Sequence, residues 1–129
     1  EIGVVSDQVG CPTSATDIAE AVLTIATRMT KDGLSPSGTW HFVNSGSATW
    51  HDFAAFIFEK ANAKGLKTPR LNAIPTADYP TPARRPANSQ LDTSRITKDF
   101  GINPRDWQAA IGDILNERFA ASEVGKTKA

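Results

Sequence analysis

Arg84 and Arg85 stand side by side in the stretch YPTPARRPANSQLDTS, Tyr79 to Ser94, where Pro80, Pro82 and Pro86 restrict the backbone. A guanidinium group is a planar fork of donors that suits phosphate, and two in a stiffened segment could grip a diphosphate at a reduced ordering cost. The same residues also fit a loop whose prolines pack on a core while its arginines pair with nearby acids. A second polar group lies in VVSDQVGCPT, Val4 to Thr13, where Asp7, Gln8, Gly10 and Thr13 follow a β-rich run. The end of a strand in an open α/β sheet is where ligands bind, and Gly10 would allow close backbone approach. An ordinary strand-to-helix loop, with Asp7 and Thr13 making local turn bonds, accounts for those residues as well.

Other reactive residue types carry less chemistry. Cys11 has no histidine nearby in sequence and is followed by proline, so a small buried filler is expected rather than a nucleophile. His41 and His51 are not at the spacing of a zinc pair, and no metal site is expected. Trp40, Trp50 and Trp107 each fall in or beside an apolar run, which favours packing, with room for one of them to touch a ligand. No GxxGxxG or GxGxxG turn occurs, and the sole tyrosine, Tyr79, is followed four positions later by Ala83 in place of lysine. Without the glycine turn or a YxxxK pair, neither dinucleotide binding nor hydride transfer can be staffed from these residues, and no catalytic residue is assigned.

The elements that must position these groups read as a small mixed α/β domain with a βαβ unit, short strands and about four helices. Ile2 to Val5 is a strand, and Ile18, Val22, Ile25 and Met29 recur at helical spacing behind a cap at Thr16 or Asp17. Thr39 to Val43 reads as a second strand, parallel to the first through the intervening helix. Thr49 and Asp52 resemble a capping box ahead of Trp50, Phe53, Ile57, Phe58 and Ala61, with Gly65 at the stop. Leu71 to Ile74 reads as a third short strand, and the prolines after it disfavour regular structure as far as Asn88. Thr93 caps a short helix ended by Gly101, and Pro104 opens the last helix. The domain is expected to span 1–121, with 122–129 a frayed tail.

Length and composition set the outer limits. With 129 residues, a single domain is expected, and 14 basic against 14 acidic side chains leave no field that would attract nucleic acid. One cysteine excludes an internal disulfide, and no apolar run approaches the roughly 18 residues of a membrane span. A cytoplasmic protein is expected. Glu1 leads directly into a strand-like run, which suggests that a preceding domain is missing.

Taken in order, VVSDQVGCPT, WHFVNSGSATWHDFA from Trp40, and YPTPARRPANSQLDTS resemble the dTDP-4-dehydrorhamnose reductases over nearly the whole chain. The resemblance implies the carboxy-terminal, substrate-binding part of an extended short-chain dehydrogenase/reductase. NADPH and the catalytic tyrosine and lysine would then belong to an amino-terminal Rossmann domain, with none bound here and this fragment inactive alone. It implies a dTDP-sugar as ligand and substrate-facing roles for Asp7, Gln8, Gly10, Thr13, Arg84, Arg85, Pro86 and Asn88. Some family members hold magnesium at a dimer contact, where Glu117 matches one ligand position but Thr16 replaces another, so no metal-bridged dimer is expected although a homodimer remains compatible. A non-catalytic relative, such as a methionine adenosyltransferase regulatory subunit, is the alternative.

Overall fold

The computed structural model describes residues 1–33 and 36–126. Its elements run β1 (Ile2–Val5), β2 (Val9–Gly10), α1 (Ala15–Lys31), β3 (Ala48–Thr49), α2 (Trp50–Ala63), β4 (Leu71–Ile74), a single 3₁₀ turn (Thr76–Asp78), α3 (Ser94–Phe100) and α4 (Trp107–Lys126). The mixed α/β class with four helices and short strands is as expected. The expected tail at 122–129 falls on a backbone that stays helical to Lys126 and on 127–129, which lie outside the described residues.

The parallel pairing exists, but with a different partner. β1 lies beside β4 in the register Ile2 to Leu71 through Val5 to Ile74. Thr39 to Val43 contains no strand. Side chains hold that segment instead: Arg95 donates to the Thr39 carbonyl at 3.1 Å, the Trp40 indole N–H donates to Asp99 at 2.8 Å, and the Arg95 guanidinium lies 4.5 Å from the Trp40 ring. The crossover from β1 to its parallel neighbour therefore carries both α1 and α2. A second, antiparallel pair joins β2 to β3.

Helix α1 is rotated relative to the expected stripe. Ser14, not Thr16 or Asp17, is its cap, and its hydroxyl accepts from the Asp17 amide. The buried positions are Asp17 and Ala21, whereas Ile18, Val22 and Met29 are exposed, Val22 to 58%. Asp17 faces inward because Arg105 meets its carboxylate there, and the small Ala21 one turn later lets the helix approach.

Helix α2 follows its local signals. The Thr49 hydroxyl accepts from the Asp52 amide while the Asp52 carboxylate accepts from the Thr49 amide, closing a capping box, and Gly65 takes a positive φ of 74° just past the end. Thr49→Ala is expected to cost about 1 kcal/mol, read as a lower denaturant midpoint at unchanged slope. Thr93 occupies the cap position of α3 without a side-chain bond, and Gly101 ends that helix in the left-handed region. The last helix starts at Trp107, later than Pro104, where Asp106 accepts from the Gln108 amide at 2.8 Å. The core behind these elements joins Ala48, Trp107 and Ile111 with Phe53, Phe56, Ile114 and Leu115 around them.

Candidate functional site

The loops after the two parallel strands are fastened to each other. Both carboxylate oxygens of Asp7, just past β1, accept from the Thr76 amide at 2.9 and 3.0 Å, and one accepts the Thr76 hydroxyl at 2.6 Å. Those donors hold the Asp7 carboxyl below its ordinary range. The Gln8 amide donates to the same Thr76 oxygen at 3.0 Å. Asp7 is thus occupied with Thr76, while Gln8 also faces open space.

That space is a pair of adjoining clefts of about 370 and 380 Å³. Gly10, Pro12, Thr13, Phe53 and Ile111 contribute to the first, and Val4, Val5, Tyr79 and Thr81 to the second. Gln8, Trp50 and Arg85 line both. The proline-rich segment reaches the clefts because its backbone is stitched to β2: the Val9 amide donates to the Ala87 carbonyl at 2.8 Å, and the Ser89 amide donates back to the Val9 carbonyl at 2.9 Å. The approach is close enough that a Cβ on Gly10 would lie 2.8 Å from the Ser89 hydroxyl, so any larger residue there would have to displace that hydroxyl.

The structure separates the residues named from sequence. Gln8, Gly10, Thr13, Arg85 and Pro86 line the first cleft. Arg84 lines neither cleft, and Asn88 turns its side-chain oxygen to the Gln90 amide at 2.9 Å. Among the described residues neither Arg84 nor Arg85 forms an ion pair, in contrast to Arg95 with Asp99 and Arg105 with Asp17 and Asp113. Pairing of these two arginines with acids is thus not seen among the described residues.

Beneath the first cleft lies a polar network that sequence reasoning missed. Asn44 is fully buried, accepts from the Ser14 amide at 2.7 Å, and donates through its side chain to Asp17 and to the Arg105 carbonyl. Its own amide donates to the Thr13 hydroxyl, which donates in turn to the Cys11 carbonyl at 2.8 Å. Arg105 closes the network with a two-pronged contact to Asp17, both bonds 2.9 Å, and a third bond to Asp113. Arg105, then Asn44 and Ser14, hold the Asp17 carboxyl below its usual range, and the two carboxylates raise the guanidinium pKa. The available signal was Asp17 itself, an acid on the same helical track as Ala21.

No group of three or more His, Cys, Asp or Glu that could hold a metal occurs among the described residues, and both Thr16 and Glu117 are exposed. Helices α1 and α2 are capped by Ser14 and Thr49, whose side chains occupy first-turn amides. Neither start is the open glycine turn on which a dinucleotide pyrophosphate rests in the Rossmann fold.

This arrangement has known counterparts. The dTDP-4-dehydrorhamnose reductase of Escherichia coli is 40% identical over 126 residues, which is 96% of this chain and 42% of that protein. A crystal structure of a dTDP-4-dehydrorhamnose reductase from Clostridium acetobutylicum superposes with a TM-score of 0.75 at 30% identity, covering 89% of this chain and 38% of the other. The Bacillus anthracis enzyme, solved in complex with NADP, gives 0.74 at 27% identity over 90% of this chain and 38% of its own. The chain thus spans about two fifths of the length of these relatives. Residues 1–119 match the family described as the RmlD substrate binding domain, and with the strand-end clefts and the motif order in agreement, the chain belongs to that family.

Proposed function

We propose that this chain is the substrate-binding portion of an NADPH-dependent reductase that converts dTDP-4-dehydro-L-rhamnose to dTDP-L-rhamnose, a step of cell-surface polysaccharide biosynthesis in the cytoplasm. The paired clefts receive the dTDP-sugar, with Arg85 at the diphosphate and Gln8, Gly10, Thr13 and Pro86 lining the bound molecule. NADPH and the proton-donating side chain belong to a separate amino-terminal Rossmann part, and the portion described here closes over the sugar nucleotide. Relatives bearing the reductase name support this reading over a non-catalytic subunit.

Arg85 is the observation that carries the assignment: a guanidinium with no acidic partner among the described residues that borders both clefts beside glycine backbone. In calorimetric titration of the full-length protein with dTDP-L-rhamnose, Arg85→Ala is expected to weaken binding by about 1.5 to 3 kcal/mol, the scale of a charge-assisted hydrogen bond. Arg84→Ala is expected to change it much less, because Arg84 lies outside both clefts. Equal affinity in wild type and Arg85→Ala would remove the diphosphate from this loop. The chain by itself, given NADPH and dTDP-4-dehydro-L-rhamnose, is expected to show no turnover.

A further inference from the structure

Val5 pairs with Ile74, and two residues beyond that pair Asp7 and Thr76 face each other across the sheet edge. The Thr76 hydroxyl has a single proton, and the Asp7 carboxylate, which when ionised can only accept, receives it at 2.6 Å. The hydroxyl is left with lone pairs to offer, and the Gln8 side-chain N–H meets one at 3.0 Å. The carboxylate at the end of this row thereby fixes the direction of both bonds. With the Gln8 amide turned over, its oxygen would face a hydroxyl oxygen that has no proton left to give. Nε2 is therefore held on Thr76 and Oε1 is turned away from it. That oxygen finds no protein partner among the described residues, on a side chain that lines both clefts.

A free glutamine reads donors and acceptors alike, because a half turn of its last torsion exchanges the two ends of the amide. Resting on the assignment of a sugar nucleotide to these clefts, we propose that Thr76, backed by Asp7, is a positioning residue that orients Gln8 to present its carbonyl oxygen to a donor group of the ligand, an O–H of the sugar or an N–H of the base. Asp7 acts through Thr76 and not on the ligand, since both its oxygens are engaged by Thr76. Fixing the amide before the ligand arrives also lowers the ordering cost of binding.

A double-mutant cycle in the full-length protein, titrated with dTDP-L-rhamnose, tests the relay. Thr76→Val removes the hydroxyl but keeps the side-chain shape and the backbone N–H that Asp7 also accepts. It is expected to weaken binding roughly 2- to 12-fold, the range of one neutral hydrogen bond, and Thr76→Ser to restore it. Gln8→Ala is expected to weaken binding at least as much, and adding Thr76→Val to it to change nothing further, because no amide remains to orient. The same cycle with dTDP locates the donor: a loss confined to dTDP-L-rhamnose places it on the sugar, an equal loss with both ligands places it on the nucleoside, and either supports the acceptor role. An undiminished affinity in Thr76→Val, or a loss just as large when Gln8 is already alanine, makes Thr76 a structural latch alone and overturns the orienting role while the sugar-nucleotide assignment stands. Failure of the wild-type protein to bind dTDP-L-rhamnose overturns that assignment and the relay with it.

Discussion

Trp107→Ala is expected to lower the free energy of unfolding by about 3 to 5 kcal/mol, the range for deleting a buried aromatic side chain. Trp107 is 6% exposed and is the hub of the core, meeting Phe56 edge to face at 5.1 Å and Phe53 at 5.9 Å. The surrounding shell cannot collapse freely into the vacancy. Gly46, at a positive φ of 84°, passes so close that a Cβ there would lie 3.0 Å from the indole, and the Trp107 amide is tied to the Ser45 carbonyl at 3.0 Å. Denaturant unfolding followed by circular dichroism measures the loss, with Trp107→Phe expected to retain more than half of the stability lost by alanine. Phe53 and Ile111 belong both to this core and to the wall of the first cleft, so weaker sugar-nucleotide binding should accompany the alanine variant. A midpoint shift of a few tenths of a kcal/mol would mean that the two helices do not depend on this contact.

The clearest local signals in the chain were legible and non-local ones were not. The Thr49 to Asp52 box and the glycine stops at Gly65 and Gly101 lie within a few residues of the helices they bound, so their chemistry could be read directly. Pairing of Ile2–Val5 with Leu71–Ile74 spans most of the chain, and nothing local to Thr39–Val43 reveals that its β-rich composition is held by Arg95 and Asp99 rather than by a ladder. Burial on α1 does not follow hydrophobicity: Ile18 and Val22 are exposed while Asp17 is buried. A carboxylate is buried there only because Arg105, distant in sequence, neutralises it. For the site, residue types in the two loops pointed to a shared cleft, but only the Val9 to Ala87 and Ser89 stitching separates Arg85, which borders it, from Arg84, which does not.

That network makes the second large prediction. Asn44→Ala is expected to cost about 2 to 4 kcal/mol, since two buried side-chain bonds and one partly buried, of about 1 kcal/mol each, disappear and the Ser14 amide is left without its acceptor. The loss should extend to binding, because Asn44 anchors Ser14 and Thr13, the end of the loop that walls the first cleft. Asp17, whose side chain is only 7% exposed, adds a pH signature. Its folded-state pKa lies below the ordinary value of 3.8, so its stabilisation is fully present above that value and is lost as pH falls through the lower folded-state pKa. Urea midpoints measured from neutral pH down into that acid window should therefore fall more steeply for the wild type than for Asp17→Asn, which begins lower but has no such proton to take up. Parallel acid limbs would show that the contact between Arg105 and Asp17 is made without stabilising the fold, and the cleft loop would then owe its position to Asn44 alone.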